Sequence, residues 1–369
     1  MPLKEEIQVA RREIVSDGYQ MSVGEIINLY KDKELVINPA YQRLYRWDIE
    51  QKTRFIESLI LGIPIPPIFV YQIDNGGWEL IDGLQRLSTI FEFMGILEDP
   101  DGAELPPLVL ESTKLLPSLE GTVWLSENEA QNDIGQETRL LIKRARLRVE
   151  ILQNQSHPLA KFELFQRLNT GGSLLSPQEV RTSIAIMLDP GFQTWVNNLA
   201  EHGAFSQSTG LSEHAIERQS NIELVVRFIS QRHIAYVSGD VNEYLDAAII
   251  HLANDEALDR NEEERIFKKT FSALSTAVPE GAFKRWDNAN ERFTGKFSIA
   301  AYEVIATGLS RLIDQLEQAM DADQLNQYIR RKIQELWANE VFQRNSGAGV
   351  RGTTRLANLL PFSQQYFAE

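Results

Sequence analysis

IFVYQIDNGGWELIDGLQRLSTIFEF, residues 68–93, is the stretch that decides the fold of the N-terminal half. Its first part, residues 68–73, is rich in β-branched and aromatic side chains, and WELID (78–82) follows after the turn residues Asn75-Gly76. This pattern is typical of a β-hairpin. From about residue 83 to 96 the apolar residues recur at helical spacing, so the second strand leads directly into a helix.

The junction between that strand and helix reads Asp82-Gly83-Leu84-Gln85-Arg86. Backbone N–H groups at a helix start favour an anion, and a glycine lets a ligand come close to the backbone. Arg86 would add a fork of donors to phosphate oxygens, while Asp82 would act through a cation or hold Arg86 in place. The residues therefore indicate a phosphate site.

The same junction also has an interpretation that needs no ligand. Asp82 followed three residues later by Gln85 fits a capping box, in which both side chains satisfy backbone N–H groups of the helix start. On the helix that follows, Gln85, Arg86 and Thr89 lie away from the apolar stripe, on a polar side.

A second polar and aromatic segment, Tyr41-Gln42-Arg43 followed by Tyr45-Arg46-Trp47, lies between a short strand and the helix that Asp48 begins. Two arginines beside three aromatic rings can bind phosphate and stack a base. The alternative is that the rings anchor a loop onto the core and the arginines pair with nearby acids.

A third segment joins two predicted helices, one ending near Asn169 and the next beginning at Ser176. Ser176, Pro177 and Glu179 fit the start of a helix with a capping box. The two glycines between the helices permit a left-handed turn, so a tight helical hairpin explains much of this segment. Asn169 and Arg181 remain candidates for polar roles at a shared pocket.

Together the three segments resemble the ParB/sulfiredoxin-like domain at the N-terminus of GmrSD-type modification-dependent restriction enzymes and of related phosphorothioate-sensing defence proteins. The resemblance covers roughly residues 20–190. Its residues, in chain order, are Pro39, Tyr41, Gln42, Arg43, Tyr45 and Trp47, then Ser58–Pro67, then Asp82–Arg86 with the D-G-Q-Q-R pattern, and finally Phe165–Arg181.

The resemblance implies a nucleotide pocket that takes an NTP with Mg²⁺, in a protein of anti-phage, restriction-type defence. It assigns catalysis to Asp82, Gln85 and Arg86, and magnesium to Asp82. The resemblance implies nucleotide binding by Tyr41, Gln42, Arg43 and Gly83, and the residue patterns add the candidates Arg46, Thr89, Asn169 and Arg181. Leu84 stands where the pattern has its first Gln. The resemblance therefore supports nucleotide binding more strongly than nucleotide hydrolysis.

Two functions therefore remain open. The first is a nucleotide-binding, Mg²⁺-dependent NTP-hydrolysing defence protein. The second is a non-catalytic nucleotide- or DNA-sensing adaptor that docks a separate nuclease or ATPase effector. The residues do not decide how many chains assemble, and an oligomer is compatible with either function. We expect the His–Asn–His nuclease domain of GmrSD-type enzymes to be absent, because the last histidine of this chain is His251.

Over the whole chain we predict an α+β fold: a ParB/sulfiredoxin-like domain at residues 1–200, followed by an all-helical domain at residues 201–369. Within the first, RARLRVEIL (144–152) alternates like a strand with one buried and one basic face. Arg144, Arg146 and Arg148 on the basic face are candidate DNA contacts, and a solvated face is the alternative.

Composition excludes several classes of protein. The 52 acidic residues exceed the 37 lysines and arginines, so the net charge is −15 and binding to DNA would need a local basic patch. The chain has no cysteine, so we expect no zinc–thiolate site and no iron–sulfur cluster. The N-terminus is charged and the most apolar stretch, residues 56–71, is broken by prolines, so we predict a cytoplasmic protein without a membrane partner.

Overall fold

A computed structural model describes residues 15–37, 45–99, 102–126, 132–154, 160–170, 176–347 and 349–368, together with Leu3. The chain divides into two compact units, Met1–Ser173 and Leu174–Glu369. This division lies nearer the N-terminus than residue 200, where the sequence analysis placed it.

The first unit contains a five-stranded sheet in the order β1-β5-β3-β4-β2. β1 with β5 and β3 with β4 are antiparallel, whereas β5 with β3 and β4 with β2 are parallel. The predicted hairpin is therefore the β3–β4 pair. The strands are β1 (Ser16–Ser22), β2 (Leu35–Val36), β3 (Ile68–Gln72), β4 (Trp78–Asp82) and β5 (Arg146–Leu152).

Strand β5 confirms the predicted alternation in part. Leu147 and Val149 are buried, while Arg146 and Arg148 are exposed on the opposite face. Arg144 does not belong to this strand, because the preceding helix continues through it and the N–H of Ala145 still donates to a helical carbonyl oxygen 3.0 Å away. The prediction of three arginines along one strand face is thus wrong for Arg144.

Two helices of the first unit, α1 (Val23–Lys31) and α2 (Ile49–Leu61), begin at residues whose side chains cap them. Ser22 accepts from the N–H of Glu25, and Asp48 with Gln51 forms the predicted capping box. Further helices of this unit are α3 (Leu84–Phe93), α4 (Gln136–Arg144) and α5 (Ala160–Thr170).

The described residues of the second unit form helices and one small hairpin, which the sequence analysis did not predict. The hairpin pairs β6 (Arg285–Asp287) with β7 (Arg292–Thr294). The helices are α6 (Pro177–Leu188), α7 (Pro190–Ala200), α8 (Gly203–Thr209), α9 (Glu213–Glu217), α10 (Ser220–His233), α11 (Val241–Asn254), α12 (Arg260–Ala277), α13 (Ile299–Ala319), α14 (Ala322–Leu336), α15 (Glu340–Ser346) and α16 (Gly352–Tyr366). The predicted order of an α+β part followed by a helical part is confirmed.

Aromatic rings form the centre of the helical unit. Phe205, Phe228, Phe267 and Phe271 are fully buried and contact one another at ring-centroid distances of 4.5–5.6 Å. Such pairs add to the stabilisation that burial of the rings already provides. Among the helices of the described ranges, none combines the length and the apolar character that crossing a membrane requires.

Candidate functional site

Helix α3 begins at Gly83, not at Asp82. Gly83 is the N-cap residue, with φ of 110°, and no side chain caps the helix there. Asp82 is the last residue of β4, so the capping box predicted for Asp82 and Gln85 is wrong. A Cβ on residue 83 would lie 2.5 Å from the Cδ1 atom of Ile68. Packing and backbone conformation thus already require glycine here.

Arg86 joins the start of α3 to the proline-rich segment before β3. Its guanidinium donates to the carbonyl oxygens of Pro66 and Pro67, at 2.6 and 3.0 Å, and to Asp82 Oδ2 at 2.5 Å. The side chain is only 12% exposed. Of the two roles considered for Asp82, holding Arg86 in place is the one that these contacts show.

Gln85 connects the two predicted motifs. Its Oε1 accepts hydrogen bonds from the backbone N–H groups of Arg46 and Trp47, at 3.0 and 3.1 Å. The Trp47 ring also packs edge-to-face on Phe55 of α2. The segment beginning at Tyr45 therefore lies against the polar side of α3, although about 40 residues separate the two in sequence.

A half-buried tyrosine, Tyr45, completes this junction. The hydroxyl of Tyr45 donates to Glu92 and lies 3.2 Å from the hydroxyl of Thr89. Lys52 of α2 binds Glu92 at 2.8 Å, and its ammonium lies 4.4 Å from the centroid of the Tyr45 ring. Burial, with the nearby Glu92 carboxylate, raises the pKa of Tyr45 well above its usual range. Tyr45 is thus a neutral donor at physiological pH.

Lys52 and Glu92 were missed by the sequence analysis. Gln85, Thr89 and Glu92 are spaced i, i+4 and i+7, so they form one polar stripe on α3. Extending the polar side noted for Gln85 and Thr89 by one turn would have found Glu92. Lys52 carried no signal of this kind, because its contact depends on how α2 packs beside α3.

The structure brings together only part of the predicted nucleotide site. Asp82, Gly83, Gln85, Arg86 and Thr89 are together on or beside the first turns of α3. Arg46 is exposed at the end of the segment that Gln85 holds. Tyr41, Gln42 and Arg43 lie outside the described residues, as does the side chain of Asn169 near the end of α5.

Arg181 belongs to α6 of the helical unit and is fully buried there. It donates to Glu223 and Asp246, each at 3.1 Å, to Gln178 at 3.0 Å and to Asn242 at 3.3 Å. These partners occupy the guanidinium, so Arg181 holds helices of the second unit together. The nucleotide-binding role predicted for it stays a prediction.

The ion pairs of Arg181 continue through the helical unit. Arg227 binds both Glu223 and the fully buried Glu303, and Arg355 of α16 binds Glu303 at 2.7 Å. Burial alone would raise the pKa of Glu223, but Arg227 and Arg181 lower it. This ion pair gives Arg355 a structural role.

Magnesium remains an expectation that fits one of these residues. Among the described residues, no three acidic or histidine side chains converge on a common point as metal ligands would. Mg²⁺ in nucleotide sites often needs only one or two carboxylates, because phosphate oxygens and water complete its shell. Asp82 accepts from Arg86 through Oδ2, and no described group donates to its Oδ1, so that oxygen suits such an ion.

Residues 23–186 match the sequence profile of the family described as GmrSD restriction endonuclease, N-terminal domain. This part of the chain belongs to that family. The matched segment runs from α1 to α6, so it includes the first helix of the second unit. The GmrSD N-terminal domain supports a role in restriction-type defence, and its ParB likeness stays a prediction. No curated protein matched the chain.

Proposed function

We propose that the N-terminal unit of this GmrSD-type protein binds a nucleoside triphosphate together with Mg²⁺. The observation that carries the proposal is the pair of hydrogen bonds from the backbone of Arg46 and Trp47 to Gln85. They place the arginine- and aromatic-rich segment at the start of α3, where anions are favoured. Two segments whose residue types suit a nucleotide thus lie against each other.

Within this site, the residues have different tasks. Arg46, with Arg43 close to it in sequence, would neutralise the phosphates. The Mg²⁺ ion, when bound, would offset phosphate charge, with Asp82 Oδ1 as its protein ligand. Gln85 would position the segment that contains Arg46, and Arg86 would position Asp82.

A switch that binds a nucleotide without hydrolysing it is the second candidate. Asp82 and Arg86 bind each other, and the side-chain oxygen of Gln85 accepts two backbone hydrogen bonds. The residues implied as catalytic therefore all hold local structure. Leu84, which replaces a Gln of the family pattern, is buried in the core and has no group that could orient a water molecule. These observations favour the adaptor.

Calorimetry with ATP, GTP and CTP in the presence of Mg²⁺ tests binding. We expect the wild-type protein to bind at least one of them and Arg46→Ala to bind at least tenfold more weakly, roughly the loss of one charge-assisted hydrogen bond. Arg54→Ala is the matched control, because Arg54 is an exposed arginine of α2 whose ion pair, among the residues that the structure describes, is with Glu50. Absence of binding to the wild type would contradict the proposal.

Phosphate release from the same samples separates the two candidates. A nucleotide that binds while no phosphate appears supports the adaptor. Steady release that is lost in Asp82→Asn, with the melting temperature kept, supports the hydrolase.

DNA contact through Arg144, Arg146 and Arg148 is a further proposal, and it predicts affinity for duplex DNA that falls steeply with salt.

A further inference from the structure

A groove of about 700 Å³ lies between the end of α2 and helix α4. One wall is the last turn of α2 and the segment Gly62–Ile65. The other wall is α4, and the groove closes at Ala145 and Arg146. All of the lining residues belong to the first unit. The groove is outside the nucleotide site proposed above, which lies on the polar side of α3.

The walls of this groove are apolar yet open to water. Leu61 and Ile63 on one side are 44% and 45% exposed, and Leu140 and Leu141 on the other are 41% and 45% exposed. Pro64 has no backbone N–H, so this wall offers few donors to a ligand. Isolated exposed aliphatic residues are ordinary on protein surfaces, but four around one concavity mark an interaction site.

The walls are held firmly. Gly62 ends α2 in the left-handed conformation, and the N–H of Ile63 donates back to Ser58 at 2.9 Å. Beyond Ile65, the fork of Arg86 binds the carbonyl oxygens of Pro66 and Pro67. A groove with such fixed walls loses little conformational entropy when it is filled.

The charges of the groove are separated along its length. Arg144 and Arg146 lie at one end, and among the described residues neither has a carboxylate partner. Glu137 is seven residues before Arg144 on α4, which places it about 10 Å away along the helix axis. Arg144 is in the last turn of α4, where the helix dipole stabilises a positive charge. Arg146 lies in strand β5, so the helix dipole does not stabilise its charge.

We infer that this groove docks a short amphipathic helix of a partner protein, with its apolar side chains between the two walls and its carboxylates facing Arg144 and Arg146. Aliphatic side chains at i, i+3, i+4 and i+7 are the recurring way in which a helix fills such a groove. DNA is disfavoured as the occupant, because phosphates would leave the four aliphatic side chains in water. The inference locates the docking surface that an adaptor needs, and it does not depend on nucleotide binding.

Fluorescence anisotropy with a defined probe tests this inference. The probe is a labelled helical peptide of about 14 residues with Leu on one face and Glu on the other, and its partner has Lys in place of each Glu. We expect the wild type to bind the acidic peptide at least about tenfold more tightly than the basic one, with the difference reduced in about 0.5 M salt.

Variants tie the signal to the groove. Leu140→Asp should abolish binding, and Arg144→Ala with Arg146→Ala should weaken it by about tenfold, which is about 1.4 kcal/mol. Arg54→Ala again serves as the control that removes one exposed charge elsewhere. Because Leu140 is 41% exposed, we expect the substituted protein to fold, and Leu141→Ser provides a milder change of the same wall.

Three results would overturn the inference: no binding of the acidic peptide, equal binding of both peptides, or binding that Leu140→Asp and Leu141→Ser leave unchanged. A concentration-dependent dimer that Leu140→Asp dissociates would assign the groove to a second copy of this chain instead. Nucleotide calorimetry on Leu140→Asp shows whether the two proposals fail separately, since this variant should bind nucleotide like the wild type.

Discussion

Arg86 has more partners in the described part of the first unit than its place in a nucleotide motif would suggest. Its guanidinium is shared between a carboxylate at the end of β4 and two proline carbonyl oxygens before β3. Pro66 and Pro67 precede a buried strand, and their carbonyl oxygens need donors. Arginine suits this position because its planar fork reaches several acceptors at once.

Removal of Arg86 should therefore destabilise the protein before it affects any ligand. We expect Arg86→Ala to lower the free energy of unfolding by about 2–4 kcal/mol, because it leaves the buried side of Asp82 and two carbonyl oxygens without their donor. Urea unfolding followed by circular dichroism measures this. Arg54→Ala, which removes an exposed pair, should change it by less than about 0.5 kcal/mol. An Arg86→Ala protein as stable as the wild type would show that the contacts of Arg86 with Asp82, Pro66 and Pro67 do not stabilise the fold.

Glu263 on α12 gives a pH dependence of known sign. Burial alone would raise its pKa, but hydrogen bonds from His233 and a bidentate pair with Arg232 lower it to about 2. Because the pKa is lower in the folded protein than the ordinary value of 4.5, the carboxylate stabilises the fold above pH 4.5. That contribution is lost as the pH falls towards 2.

Glu263→Gln should consequently be less stable than the wild type at pH 7, and the gap should narrow between pH 4.5 and pH 2. Urea midpoints across this pH range check it. Glu264→Gln is the matched control on the same helix, because within the described ranges Glu264 forms its ion pair with the exposed Lys268. A stability difference between the two proteins that does not change with pH would mean that folding does not lower the pKa of Glu263.

At the scale of elements, the same sequence pattern had two outcomes. Asp48 and Gln51 form a capping box, whereas Asp82 and Gln85 have the same spacing and do not. The difference is Gly83, whose positive φ lets the chain turn from β4 directly into α3 with the glycine itself as N-cap. Residue spacing predicted both helices, but it left open whether Asp82 would cap the helix or hold Arg86, and the structure shows the second.

The turn at Gly83 provides a test at this scale. Gly83→Ala combines an unfavourable backbone conformation with a Cβ that meets Ile68, so we expect a loss of about 2–3 kcal/mol in unfolding free energy. Gly62→Ala has a positive φ but open space around the Cβ, so it should lose only about 1 kcal/mol. Adding Ile68→Val to Gly83→Ala should recover part of the difference, because Val lacks the Cδ1 atom.

Urea unfolding of the wild type, Gly83→Ala, Ile68→Val and the double variant, with Gly62→Ala beside them, completes the comparison. If Ile68→Val destabilises Gly83→Ala as much as it destabilises the wild type, then backbone conformation alone explains the glycine. The result separates the cost of the contact with Ile68 from the cost of the backbone conformation at residue 83, and neither cost involves a ligand.

At the scale of the whole molecule, the sequence predicted the order of an α+β part and a helical part, since alternation ends near residue 152 and helical spacing continues beyond it. It did not predict the ion pairs of the helical unit, in which Arg181, Glu223, Arg227, Glu303 and Arg355 come from four helices. Partners 42 to 76 residues apart are set by helix packing, which no local pattern encodes.

The contacts of Arg86 link the two proposed sites of the first unit. Its partners include Asp82 at the nucleotide motif and the prolines that continue the groove wall at Ile63–Ile65. A triphosphate that draws on the Arg86 fork would compete with the proline carbonyl oxygens and loosen that wall. Nucleotide and docked helix should then weaken each other, and linkage requires the effect to be mutual.

Saturating Mg²⁺ and nucleotide should accordingly weaken binding of the acidic peptide by at least about fivefold, the lower end of usual coupling between two sites. Arg86→Lys keeps the positive charge but lacks the fork, so in this variant the peptide affinity should respond less to nucleotide. Anisotropy titrations of both proteins, with and without nucleotide, measure the coupling. If both ligands bind the wild type and neither changes the affinity of the other, Arg86 is a clamp for the fold and carries no signal between the sites.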